Sequence, residues 1–165
     1  MQGSSSTDYQ RNRDTLKKVL TWSTSLTTLP NYCFYYASAM TAIEADLSRI
    51  TSIGSYCFYY CNALSSFEFM KSMTKLTSIP SYCFYYCTYF NNLDVIPASV
   101  TSFGSNAFYQ CRITDLSRIR STDTLNSYCF AYNTTLTSLA TLKPRTSFPT
   151  YLFYYCSGLK QADLS

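Results

Sequence analysis

The sequence predicts an α/β repeat, a solenoid of about six rungs of 22–26 residues each. Three observations predict it. Near-copies of one heptad recur: NYCFYYA (31–37), SYCFYYC (55–61 and 81–87), SNAFYQC (105–111), SYCFAYN (127–133) and TYLFYYC (150–156). Their phenylalanines, Phe34, Phe58, Phe84, Phe108, Phe130 and Phe153, are separated by 24, 26, 24, 22 and 23 residues. Apolar columns flank each copy at fixed offsets. A unit this short cannot bury its own apolar face, so only stacking on its neighbours makes a core.

The elements of a rung follow in order. Eight residues before the phenylalanine stand Leu26, Ile50, Leu76 and Val100, degenerating to Thr122 and Arg145 in the last two copies. Five before it, every copy is apolar: Leu29, Ile53, Ile79, Phe103, Leu125 and Phe148. These L-x-x-I segments read as strands. The next position carries Pro30, Gly54, Pro80, Gly104, Asn126 and Pro149, which redirect the backbone through the fixed φ of proline or a permitted φ > 0 in glycine and asparagine. The aromatic run is too short for an independent helix and reads as one or two helical turns. A second L-x-x-L follows, with Met40, Leu64, Phe90, Leu136 and Leu159, then Ile43, Phe67, Leu93 and Leu139. The fourth copy is one residue short there, and Ile113 and Leu116 take the two places. Length changes fall after this second segment, where a loop absorbs them.

Periods of this size belong to leucine-rich repeats rather than to longer helical or propeller arrays. The unit resembles the BspA-like class, approximately L-x-x-I-x-I-P-x-x-V-x-x-I-G-x-x-A-F-x-x-C, best matched by LDVIPASVTSFGSNAFYQC (93–111). The resemblance covers about residues 26–165. It implies a curved right-handed solenoid with short parallel strands and no common catalytic site. It also implies an extracellular, cell-surface or virion location, since such proteins contact host molecules or other cells. The first fifteen residues lack the apolar stretch of a signal peptide.

Two segments are expected. Residues 1–25 read as a polar, flexible start and a short amphipathic cap, with Tyr9, Leu16, Val19 and Leu20 at roughly helical spacing and Asp8 as an N-cap. Residues 26–165 are the solenoid, ending mid-repeat at QADLS, which matches EADLS at 44–48. An uncovered last rung would be a sticky edge, so the expectation is either a piece of a longer protein or a rung covered by another subunit, as in self-association through that end.

Composition narrows the function. Thirteen basic and nine acidic residues give a net charge of +4, spread too evenly for a nucleic-acid stripe. The Arg11, Arg13, Lys17 and Lys18 cluster is balanced by Asp8 and Asp14 and reads as a solvated face. No apolar run approaches a membrane span, so no membrane insertion is expected. There is no histidine, which removes Ser/His and Cys/His catalysis. The four glycines form no phosphate-binding loop, and no cofactor or enzymatic activity is expected. Eight cysteines fill two columns: Cys33, Cys57, Cys83 and Cys129 before the phenylalanine, and Cys61, Cys87, Cys111 and Cys156 after it. Ala37, Ala107 and Leu152 share these columns, so the thiols read as free, buried small hydrophobes rather than zinc ligands. Stacked rungs do come within reach of disulfide bonding.

Fifteen of the seventeen tyrosines fall in three columns. Tyr32, Tyr56, Tyr82, Tyr128 and Tyr151 stand two before the phenylalanine. Tyr35, Tyr59, Tyr85, Tyr109 and Tyr154 follow it directly, and Tyr36, Tyr60, Tyr86, Tyr132 and Tyr155 come next. With the phenylalanine inward, at least one tyrosine column should face solvent as a strip of roughly 25 Å. One reading is mutual packing of the rings. The other is a contact surface in the last two columns for a protein or glycan partner, as in an adhesin. A structural subunit of a virion or filament is the alternative from a different class.

Overall fold

The structure, a computed structural model, describes residues 15–160. The aromatic run sets its geometry. In the third rung, every second amide leaves the rung: Tyr82 donates to the Ser105 carbonyl (3.0 Å), Phe84 to Ala107 (2.9 Å) and Tyr86 to Tyr109 (2.8 Å). The intervening amides close local turns, Cys83 onto Pro80, Tyr85 onto Tyr82 and Cys87 onto Phe84. All five junctions between the six rungs repeat the three outgoing bonds. In the third rung each backbone donor of the run is thereby used.

This arrangement replaces the helical turns expected for the run. The tyrosines two before and two after the phenylalanine adopt φ between 54° and 63°, as do Asn106 and Gln110 at the same places. They occupy the left-handed position of successive β-turns. Such a residue costs about 1 kcal/mol when it carries a side chain. One inter-rung hydrogen bond, about 1 kcal/mol, and one ring stack, about 0.5–1.5 kcal/mol, offset it.

The strands are two residues long and parallel. β2 (Thr28–Leu29) pairs with β4 (Ser52–Ile53), and β5 (Ser78–Ile79), β6 (Ser102–Phe103) and β7 (Thr124–Leu125) form a ladder. In each, the hydroxyl residue points outward and the apolar residue is buried. A second position pairs β1 (Lys18–Val19) with β3 (Ala42–Ile43). The short amphipathic helix expected from Asp8 onward is therefore extended at Lys18–Val19, and its start lies outside the described residues. Leu16-x-x-Val19 is spaced like Met40-x-x-Ile43 and stacks on it, with Val19 paired to Ile43.

The core is a set of columns. The phenylalanines stack with centroids 5.3, 5.2, 5.6, 5.6 and 6.1 Å apart, and the middle four are fully buried. Leu26 and Phe148, apolar members of the predicted columns, are exposed because no described rung covers them. The longest repeat absorbs its extra residues in a 3₁₀ helix, Glu68–Ser72, not in an open loop. It buries Phe69 and Met70 against the stack. Where Thr122 and Arg145 break the leucine column, Ile119 fills the core and polar groups bridge the rungs. Asp123, buried, accepts from Arg120 Nε at 2.9 Å, while Arg118 Nε donates to the Ile96 carbonyl at 3.1 Å. Arg145 donates to the carbonyls of Arg120 and Asp123.

Gly54 and Gly104 do not take positive φ. They are needed for close approach: a Cβ on Gly104 would collide with the backbone amide of Ser81 in the rung before it. Gly104→Ala is expected to cost about 1–3 kcal/mol in urea unfolding by forcing two rungs apart. Phe84→Ala, which hollows the central stack, is expected to cost about 3–5 kcal/mol. A glycine substitution without effect would show that rung spacing is not set there.

Candidate functional site: the tyrosine face

The turns that hold the phenylalanine inward turn three tyrosines of each complete copy to the same outer side. Along the stack, like rings lie on like rings. Tyr32, Tyr56 and Tyr82 are 5.0 and 4.7 Å apart, and Tyr35, Tyr59, Tyr85 and Tyr109 are 5.0, 4.7 and 4.5 Å apart. Tyr36, Tyr60 and Tyr86 are 4.8 and 4.3 Å apart, the last pair within 3° of parallel. Across a rung the columns meet edge to face, Tyr32 on Tyr35 at 5.3 Å and Tyr35 on Tyr36 at 4.7 Å.

The predicted site residues Tyr35, Tyr59, Tyr85, Tyr109 and Tyr154, with Tyr36, Tyr60, Tyr86, Tyr132 and Tyr155, are thus brought together in one array. The third column joins them. No single column faces solvent alone: the inner tyrosines of all three are half-buried, and the more exposed ones, Tyr32, Tyr151, Tyr154 and Tyr155 (63%), stand in the end rungs. The fifth copy has Ala131 in place of a tyrosine. Tyr132 crosses into the gap, 4.8 Å from Tyr109 and 5.6 Å from Tyr154, and keeps the array continuous.

Packing changes the chemistry of the phenols. Burial, then the neighbouring phenols, raises Tyr59 and Tyr109 well above the ordinary value of 10.0, and Tyr56, Tyr60 and Tyr85 shift the same way. The face therefore presents neutral hydroxyls, not charges.

All eight cysteines are free thiols, and all but Cys33 are buried. The two columns differ in a way the sequence did not reveal. Those before the phenylalanine pack in the core beside one another, Cys57 in reach of the Cys33 thiol. Those after it donate to the phenylalanine carbonyl of the preceding rung: Cys61 to Phe34, Cys87 to Phe58 and Cys111 to Phe84 at 3.1 Å, and Cys156 to Phe130 at 3.2 Å. Asn133 does this in the fifth rung through Nδ2, 2.8 Å from the Phe108 carbonyl. Burial pushes Cys156 up to about 11, and Cys57, Cys83 and Cys87 well above their ordinary value. No group of three or more metal-ligating side chains gathers among the described residues.

A stack of short parallel strands and apolar columns at these periods defines a leucine-rich repeat solenoid. The sequence profile described as "BspA type Leucine rich repeat region (6 copies)" matches residues 11–78 and 51–165, and the chain belongs to that family. The fold is similar to the crystal structure of a leucine-rich repeat protein from Bacteroides ovatus ATCC 8483, with a TM-score of 0.64 and 20% identity. That likeness covers 83% of this chain and 34% of the other, so the chain spans about a third of that protein's resolved length. No curated protein matches the chain.

Cys57→Ala is expected to be mild, because Ala107 already stands in its column. Cys87→Ala should cost about 1 kcal/mol more, having lost a donor to the Phe58 carbonyl as well as packing. Equal losses in urea unfolding would deny the thiol its donor role.

The raised thiols and phenols favour the folded state while protonated. Their contribution is complete below the ordinary values of 9.0 and 10.0 and is lost as pH rises above them. Calorimetry should show a lower Tm at about pH 11 than at about pH 8. A flat profile would contradict burial of these groups.

Proposed function

We propose that this chain is a non-catalytic, adhesin-like binding module that engages a protein partner through its tyrosine face. One observation carries the reading. The ring faces are covered by their neighbours along the stack, so what remains accessible is ring edges and phenol ends. Edges and hydroxyls hydrogen-bond to peptide groups and pack on aliphatic side chains, and tyrosine does so at low entropic cost. Inside the stack a tyrosine offers no free face to a sugar ring, which favours protein over glycan along the middle of this surface. Solenoids use such extended surfaces for recognition, and the regular rungs supply a rigid one.

A protein array probed with the chain tests this. Tyr59→Phe/Tyr85→Phe/Tyr109→Phe keeps the stack and removes three central hydroxyls. Capture of a protein by the parent chain, weakened about tenfold or more in the triple variant with Tm unchanged, is the expected result. Capture that is equal in both, or no capture of any protein, would overturn the reading.

A further inference from the structure

Tyr89 is the one described tyrosine outside the three columns, and its ring is the one left unstacked. It stands five residues after Phe84, where other copies carry Ala39, Ala63, Thr135 and Gly158. It is 53% exposed. Two irregularities of the repeat hollow the surface on either side. The missing residue of the fourth copy brings Arg112 into the place beside Tyr89, its amide held by the Phe90 carbonyl at 2.9 Å. A groove of about 200 Å³ lies there, lined by Thr88, Asn91, Arg112, Thr114 and Thr135 with Tyr89. On the other side, next to the Glu68–Ser72 helix, a second groove of about 160 Å³ is lined in part by Ser66, Glu68 and Asn92. Tyr89 and Asn91 border both.

The chemistry of this site differs from that of the tyrosine face. An aromatic face is free, amides and hydroxyls surround it, and both hollows are open and polar. Apolar ligands need an apolar lining, and nucleic acid needs several cations rather than one arginine. A sugar ring fits: its C–H face lies on an aromatic ring while its hydroxyls meet amide and hydroxyl groups. Charge narrows the choice. Glu68 is already paired with Lys71 at 2.7 Å, whereas no described carboxylate lies within ion-pair distance of Arg112. Arg112 offers a planar fork for a carboxylate.

We propose that Tyr89 and its two flanking grooves bind a short acidic saccharide. One ring stacks on Tyr89, its carboxylate meets Arg112, and neighbouring hydroxyls are held by Asn91, Thr114 and Thr135. The site is independent of the protein-binding face.

Amide chemical-shift titration of the full chain tests the proposal. The probes are 3′-sialyllactose and a hyaluronan tetrasaccharide, each against a neutral counterpart, lactose and chitotriose. The acidic probes should shift the amides of Tyr89, Asn91 and Arg112 and bind about tenfold more tightly than the neutral ones. Tyr89→Ala should abolish binding and Tyr89→Trp retain it. Arg112→Gln should erase the preference for acid. The Tyr59→Phe/Tyr85→Phe/Tyr109→Phe variant should bind the sugars unchanged, so failure here and failure of the protein-binding surface are separate results. Binding by neither acidic probe, equal binding of acidic and neutral probes, or binding that survives Tyr89→Ala would each overturn it.

Discussion

The amides of alternate residues in the aromatic run point along the stack, and the spacing they impose governs almost everything else. Three such bonds join each rung to the next. They hold rungs near the separation of parallel strands, about 4.8 Å, although the strands themselves are only two residues long. At that spacing identical side chains fall into contact. The phenylalanines become a continuous inner stack, the tyrosines an outer one, and glycine is required where the backbone of the preceding rung comes closest, at the amides of Asn31 and Ser81. The left-handed tyrosines follow from the same constraint, because the run must turn locally while its alternate amides stay aligned.

The columns were legible in the sequence because stacking selects the same residue type at each level. Ile53, Phe84 and Leu64 are buried as their offsets required. The tyrosine array was legible for the same reason. The turn conformation was not, since tyrosine at positive φ runs against its own preference, and Asn106 was a faint signal among tyrosines. The strand at Lys18–Val19 was hidden by two lysines that made a helical period plausible. LKKV at 16–19 nevertheless had the spacing of the second L-x-x-L. The donor role of Cys87 was invisible because its column also holds Ala37, which precedes the other described copies and has no earlier phenylalanine carbonyl to reach. The bridges around Asp123 occupy columns that simply looked degenerate.

Regularity and its failures divide the surface into two kinds of chemistry. Where repeats are faithful, rings cover one another and expose edges and neutral hydroxyls. Where two residues are gained before the third copy and one is lost in the fourth, hollows open and Tyr89 stands exposed with no ring stacked on it, beside an arginine that no described carboxylate pairs. Repetition therefore builds an extended, rigid surface, and irregularity builds a local one. The chemistry each offers follows from how many ring faces stacking has consumed.

Native-state hydrogen exchange tests the central claim most directly. If the aromatic-run ladder holds the rungs together, the amides of Phe58, Tyr60, Phe84 and Tyr86 should be the most protected in the chain, above those of the paired strands at Ser52–Ile53 and Ser102–Phe103. Strand amides that outlast the aromatic-run amides would contradict it.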